Sequence, residues 1–451
     1  MKTDFSIGRR ALLGAAAAGM VTSFLRKGAY AQEDGIPTLA RASRDAWLFG
    51  LPLIENAQSR AHLLRNLPPN TFLHKRSLVD WRDRFITTPN NDTLYSLAWL
   101  DLSAGPVHLE IPATGNRYVS VALMDMYTNN FAIPGTRTTG PDGGQFTIIG
   151  PDAALGSPLD IRSPTRWVCA LVRLLVDGPQ DLPAVHQIQD RFVLRGPAIS
   201  HSGKPSEFAA RTAPWDQYFA SVQALMIENA PRATDERYLH AIAPLGIGLQ
   251  DRFDPSRFPA GQVDEIRHGI QLAVQALHDT RSLGPVRQGW NYPRADLGDF
   301  HESYLYRAQV AIGGLYALPP QEALYIRPVL TPEQEALPAG RSLLLRFPAG
   351  QLPPVGAFWS LSMYERTPDG QFFFFRNDID RYAIGNRTSG LVHGSDGGLD
   401  IWISREKPAG DRLANWLPAP ARGPFGLFLR AYFPDISLIS GTYLLPPLQL
   451  A

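Results

Sequence analysis

The chain has 451 residues, with Lys+Arg 43 against Asp+Glu 42 and a formal net charge of +1, so no surplus of cations is on hand to neutralise phosphates and no nucleic acid partner is expected. Cys169 is its single cysteine, which excludes an intramolecular disulfide, an iron–sulfur cluster and a cysteine-rich zinc site. The length points to two or three domains.

In chain order, residues 1–31 read as a signal peptide. Arg9-Arg10 precede a weakly apolar stretch from Ala11 to Ala18, and Ala29-Tyr30-Ala31 forms a small-x-small cleavage site. The stretch falls well short of the roughly 20 residues a membrane span needs, and Arg26 and Lys27 stand just before the cleavage site. The pattern predicts export in the folded state by the twin-arginine machinery to the periplasm or beyond, with no stable membrane span after signal removal. That route leaves the need for a cofactor open.

From 32 to 75 the apolar positions Ala46, Trp47, Phe49, Leu51 and Ile54 suit an arm of short helices broken at Pro52. Between 76 and 200 the pattern turns to short strands, among them Tyr118–Asp125, Gln145–Ile149 and Trp167–Val172, divided by Gly, Pro and Asn; this suggests a β-sandwich. A helical domain is expected over 201–320. Its predicted helices follow Pro214 as far as Pro231, run over Gln262–Thr280, and run over Glu302–Leu318. From 321 to 451 the strand pattern returns at Ser342–Phe347, Phe358–Tyr364, Leu399–Ile403 and Phe425–Arg430, which fits a second sandwich of jelly-roll type. The predicted fold class is mainly β with a helical middle domain.

Two polar clusters interrupt this packing pattern. Thr88-Pro89-Asn90-Asn91-Asp92-Thr93-Leu94-Tyr95 crowds the entrance to a strand, and Asp125-Met126-Tyr127-Thr128-Asn129-Asn130-Phe131, succeeded by Gly135-Thr136-Arg137, follows another. Asn and Asp bond their own backbone in turns, so plain turn chemistry is one reading. If the two bends meet at one end of the sandwich, Asp92 and Asp125 become acid/base candidates. Asn91, Tyr95, Tyr127, Asn129, Asn130 and Arg137 would then bind substrate. In the C-terminal segment Phe428, Arg430 and Tyr432 alternate away from Leu427, Leu429 and Ala431, giving an aromatic and cationic face that either grips a ligand such as a saccharide or packs against the preceding domain. The ten histidines form no zinc signature, and no metal ligand set is assigned. Nucleophile-elbow, phosphate-loop and dinucleotide motifs are absent as well.

These residues carry a resemblance. Pro89-Asn90-Asn91-Asp92-Thr93-Leu94-Tyr95-Ser96, Arg117-Tyr118 and the Asp125–Phe131 cluster resemble a module known as domain of unknown function 1254. Ala357-Phe358-Trp359-Ser360-Leu361, Arg381-Tyr382-Ala383-Ile384-Gly385, Asn415–Pro420 and Gly423-Pro424-Phe425 resemble domain of unknown function 1214, the two standing in tandem. The resemblance implies an immunoglobulin-like sandwich, a helical domain and a jelly roll, and no settled activity. The chain departs from the pattern at Thr331-Pro332-Glu333-Gln334 and at Asn386, where acidic groups are usual. The expected function is an exported enzyme of hydrolase or lyase type acting on a small polar organic molecule in an inter-domain cleft. The alternative is a non-catalytic protein binding carbohydrate or cell-envelope material.

Overall fold

A computed structural model describes residues 35–84, 87–197, 207–249, 252–279, 283–368 and 370–451; the expected signal peptide lies outside them. The first element, α1 (Thr38–Leu64), is one continuous helix with Pro52 inside it, where the sequence suggested a break. An interior proline costs about 3 kcal/mol. Every residue from Ala46 to Ala57 is buried, however, and burial returns roughly 1.5–3 kcal/mol for each large apolar side chain. Packing overrides the local breaker. Among the described residues no helix is long and apolar enough to cross a membrane.

Beyond α1 the chain forms β1 (Leu73–His74), β2 (Thr93–Asp101), β3 (Val107–Ile111), β4 (Val119–Met124), β5 (Asn130–Ala132), β6 (Gly144–Ile149), β7 (Ile161–Arg162) and β8 (Trp167–Leu175), then α2 (Leu182–Gln189) and β9 (Val193–Arg195). Two sheets result, ordered β1-β2-β8-β4-β5 and β7-β6-β3-β9. Between them Leu94, Ala98, Val121, Leu123, Ala170 and Val172 meet Val107, Leu109 and Ile148 in one apolar core. Strand β8 is buried along its whole length because both its faces are covered. Its even-numbered side chains enter this core, and Trp167, Cys169, Leu171 and Leu175 enter a second core shared with the helices, as the two-residue strand period requires.

The helices are α3 (Trp215–Glu228), α4 (Glu236–Ile242), α5 (Ala260–Leu277) and α6 (Tyr304–Gly313). With α1 they build that second core, and α1 packs at its centre. Gly269 of α5 sits so close to α1 that an added Cβ would lie 2.1 Å from the Ala40 carbonyl oxygen, and Ser43 Oγ donates to Ile266 O at 2.7 Å beside it. Gly269→Ala is therefore expected to lower thermal stability by about 1–3 kcal/mol or more, read as a fall in melting temperature.

The C-terminal part begins before 321: β10 (Val286–Arg287) and β11 (Trp290–Asn291), within the stretch expected to be helical, pair onto β12 (Ala323–Pro328). There follow α7 (Pro332–Ala336), β13 (Leu343–Phe347), β14 (Val355–Arg366), β15 (Phe372–Phe373), β16 (Ala383–Gly385), β17 (Leu399–Ser404), β18 (Trp416–Pro418), β19 (Phe425–Pro434), α8 (Ile436–Ser440) and β20 (Gln449–Leu450). One sheet runs β10-β11-β12-β19-β14-β15 with β16 on β14, and another runs β18-β17-β13-β20. Leu324, Ile326, Trp359, Leu361, Leu427 and Leu429 of the first enclose a core with Leu343, Leu345, Ile401 and Ile403 of the second. The whole is a mixed fold, 28% helical and 25% strand, which agrees in part with the expected β-rich class with a helical middle. Packing around α1 accounts for the helical share.

Candidate functional site

Two sheets turn their second faces toward each other. On the first, register aligns Tyr95 of β2 with Arg173 of β8, and Arg173 with Ser120 of β4, so three polar side chains stand in one row on the face away from the apolar core. On the C-terminal sheet, Tyr325 of β12 aligns with Arg430 of β19, and Arg430 with Ser360 of β14, making a second tyrosine–arginine–serine row. Contacts close the gap around them. The rings of Tyr118 and Tyr432 lie 5.3 Å apart, Tyr432 stacks on Phe358 at 4.4 Å, and Ser360 Oγ donates to Asp92 Oδ2 at 2.7 Å.

The arginines differ in their bonding. Arg430 Nη1 donates to Ser362 Oγ at 2.9 Å and to the Tyr364 hydroxyl at 2.7 Å, and Nη2 donates to Thr88 O at 2.8 Å. Burial would lower its basicity, but Tyr364, Tyr432 and Asp92 outweigh that and hold it above the ordinary value. Arg430 thereby clamps the loop that carries Asp92. Thr88 itself adopts φ 51°, unusual for a β-branched residue, with its N–H on Phe372 O. Arg173, 6% exposed, spends Nη2 on Tyr316 O at 2.7 Å and leaves Nη1 buried with no protein partner. Ser120 Oγ, on the next strand, is also buried without a well-formed hydrogen bond, although it lies near enough to the Tyr118 hydroxyl to ease its ionisation.

Asp92 and Tyr325 lie deep in the protein mass yet each keeps accessible surface. Both stand where the two rows meet, and this seam between the sheets is the candidate site. Desolvation raises the Asp92 carboxyl above the usual 3.8, against the opposing pull of Ser360 and Arg430. A carboxyl whose folded pKa is raised stabilises the fold below its unfolded pKa, and that contribution is lost as pH climbs through the folded value. The stability of Asp92→Asn relative to the native chain is therefore expected to rise as pH increases from about 4 toward neutrality, read from melting curves of both proteins across that range. Nearby, Glu322 accepts from the Tyr118 hydroxyl at 2.7 Å and pairs with Arg137 at 2.6 Å.

Of the residues singled out in the sequence, Asp92 and Tyr95 stand at this seam and Arg137 reaches its edge through Glu322. The structure does not bring Asp125 to Asp92. Strands β2 and β4 both pair with β8, and Thr93 aligns with Leu175 whereas Met124 aligns with Cys169, which separates the two bends by about 20 Å at roughly 3.3 Å per residue. Asp125 is wholly buried and accepts from the N–H groups of Tyr127 and Asn129, both at 2.9 Å, from Asn129 Nδ2, and from Arg232 at 3.1 Å. Its pKa is raised by desolvation, against Arg232 and Asn129, but every near group belongs to the turn and its helical support. Tyr127 donates to Asn229 O, Asn129 Oδ1 accepts from Phe300 N, and Asn130 donates to Gly298 O and Ala317 O. These three fasten the sheet to the helical part. Asn91 donates to Val79 O at 2.5 Å and orders its own loop.

Ser120, Arg173, Glu322, Tyr325 and Ser360 were not picked out in advance. The available signal was an arginine inside a continuous apolar strand, in Trp167–Leu175 as in Phe425–Pro434. Among the described residues no group of three His, Cys, Asp or Glu side chains gathers as a metal site would require. Cys169 is buried with its thiol pushed up by desolvation, the state of an inert packing group.

Comparison with known proteins places this geometry in a wider setting. The model for DUF1254, described as a protein of unknown function, matches residues 69–196, and that for DUF1214, described likewise, matches residues 322–436. A crystal structure of the VPA0106 protein from Vibrio parahaemolyticus is 22% identical, superimposes with TM-score 0.69, and spans 92% of this chain and 100% of its own; that likeness is one of fold. An uncharacterised protein from Burkholderia cenocepacia gives TM-score 0.42 at 12% identity, over 92% of this chain and 94% of its own. No curated protein matches. With the first module followed by the second in that order along the sequence, the chain belongs to the tandem DUF1254–DUF1214 family.

Proposed function

We propose that the chain is an exported enzyme of hydrolase or lyase type that takes a small polar organic molecule into a chamber between the two sheets, with Asp92 as its proton-transfer group. The observation that carries this reading is Asp92 itself: a carboxyl raised by desolvation, held at one oxygen by Ser360, on a loop clamped by Arg430. A carboxyl poised closer to neutrality than usual can both accept and return a proton. In hydrolysis the ionised Asp92 takes a proton from the attacking water and passes it to the leaving group. In elimination it takes the proton from carbon, the electron pair forms the new double bond, and the departing group leaves with the proton. Perturbed carboxylates in internal spaces are the usual mark of such sites.

The paired sheets are read as the immunoglobulin-like sandwich and jelly roll that the family resemblance implies, and Arg9-Arg10 with Ala29-Tyr30-Ala31 as the address for folded export. A carbohydrate shelf built on Arg430 and Tyr432 is the less favoured reading, because both are buried between the sheets and Tyr432 accepts from Asn90 Nδ2 at 2.7 Å. The test is to incubate the purified chain and its Asp92→Asn variant with panels of esters, amides, lactones and hydroxy acids, following mass changes. Conversion by the native chain that the variant loses supports the reading; conversion that persists in the folded variant removes Asp92 from the chemistry.

A further inference from the structure

We infer that Arg173 and Ser120 form the anchoring subsite for a carboxylate, and that the chamber's ligand is a small, flat organic monoacid. The inference rests on the proposed placement of a ligand in the chamber, but not on any reaction taking place there.

Three observations converge on it. Arg173 and Ser120 are register partners on adjacent strands, so their side chains rise side by side from one face, with backbones about 5 Å apart. Arg173 Nη1 is buried and met by no protein hydrogen-bond partner, and Ser120 Oγ is buried with no well-formed one, having only the Tyr118 hydroxyl near it. Leaving such groups unmet costs about 1–3 kcal/mol apiece, more where one is charged, unless something else completes them. Two adjacent donors match the two oxygens of one carboxylate.

Charge fixes the class. Glu322 is paired with Arg137, and Asp92 lies within the electrostatic reach of Arg430. The groups acting most on Arg173 besides burial are the phenols of Tyr325, Tyr95, Tyr432 and Tyr118, none of them a carboxylate. The phenols hold the basicity of Arg173 above its ordinary value, yet among the described residues no carboxylate pairs with it, which suits a ligand with a single negative charge and leaves a phosphate dianion in excess. Shape follows from the rings. Arg173 lies 5.7 Å from the centre of the Tyr95 ring, and Tyr118, Tyr432 and Phe358 pack against one another across the gap. Walls of this kind favour a planar carbon skeleton that can lie against them.

The test uses 4-fluorobenzoate as probe, observed by fluorine NMR and titration calorimetry on the full purified chain, with benzamide and inorganic phosphate as comparators. Saturable binding of 4-fluorobenzoate is expected, with no displacement by either comparator. Arg173→Met should weaken it at least tenfold and Ser120→Ala by a smaller factor. Arg173→Lys, which keeps the charge but not the fork, should fall between the native chain and Arg173→Met, and it stands in if the methionine variant fails to fold. No saturable binding by the native chain, equal binding by folded Arg173 variants, or displacement by phosphate overturns the inference. Binding without turnover of any acid leaves it standing while the enzymatic reading falls. Turnover confined to neutral compounds, unaffected at Arg173, does the reverse.

Discussion

Arg173→Met is expected to match or exceed the native chain in stability, whereas Arg430→Met is expected to lose about 3–5 kcal/mol; differential scanning calorimetry at neutral pH separates them. Both are buried arginines in the middle of central strands, so residue type and burial alone forecast equal losses. Their partners forecast otherwise. Removing Arg430 leaves Thr88 O without its donor and strips the hydroxyls of Ser362 and Tyr364 of their charged neighbour. It also leaves Asp92 without the cation that opposes its desolvation. Removing Arg173 gives up one bond to Tyr316 O and relieves a guanidinium edge that no protein atom meets. Replacing a poorly compensated buried charge with an apolar side chain of similar length is often neutral or stabilising, by about 1–4 kcal/mol. Equal losses in the two variants would show Arg173 to be an ordinary structural arginine.

The second contrast sets the two aspartates against each other. On the proposed chemistry, Asp92→Asn is expected to lower turnover by about 10²–10⁴-fold with no loss of stability at neutral pH, since asparagine still accepts from Ser360 and carries no charge to desolvate. Asp125→Asn is expected to do the opposite. It turns one of the two acceptors around which Tyr127, Asn129 and Arg232 are arranged into a donor, and it leaves the half-buried Arg232 with Asp299 as its remaining ion partner. A loss of about 3–5 kcal/mol follows from breaking a buried charge pair. Kinetic assay and thermal unfolding of both proteins check this. A fully active Asp92→Asn, or a stable but inactive Asp125→Asn, would reverse the roles assigned here.

Much of the architecture was legible before any coordinates. Predicted Tyr118–Asp125 corresponds to Val119–Met124, and Leu399–Ile403 to Leu399–Ser404, because alternating apolar side chains bounded by Gly, Pro and Asn are sufficient to mark a strand. Pro52 misled because a local rule was set against burial on all sides of α1, which no window of sequence reveals. The site was legible only in part. Asp92 and Tyr95 stood out in a polar cluster, and so did Asp125, since turn-building and acid/base chemistry draw on the same residue types. What parts them is that β2 and β4 run the same way on either side of β8, a matter of strand order and not of composition. Arg173 escaped notice because its strand was taken to end at Val172. An arginine continuing an apolar strand is the clue, and in Phe425–Arg430 the same pattern marks a face for ligand or for packing against the preceding domain, where Arg430 and Tyr432 are indeed buried.

Strand β8 carries the apolar sandwich interior on one side and Arg173 on the other. It therefore acts as a partition common to two compartments, and a substitution on its even-numbered side is felt on its odd-numbered side as a shift of backbone. Enlarging Ala170 or Val172 is expected to displace Arg173 without touching it, so the proposed carboxylate subsite becomes tunable from packing positions that do not line it.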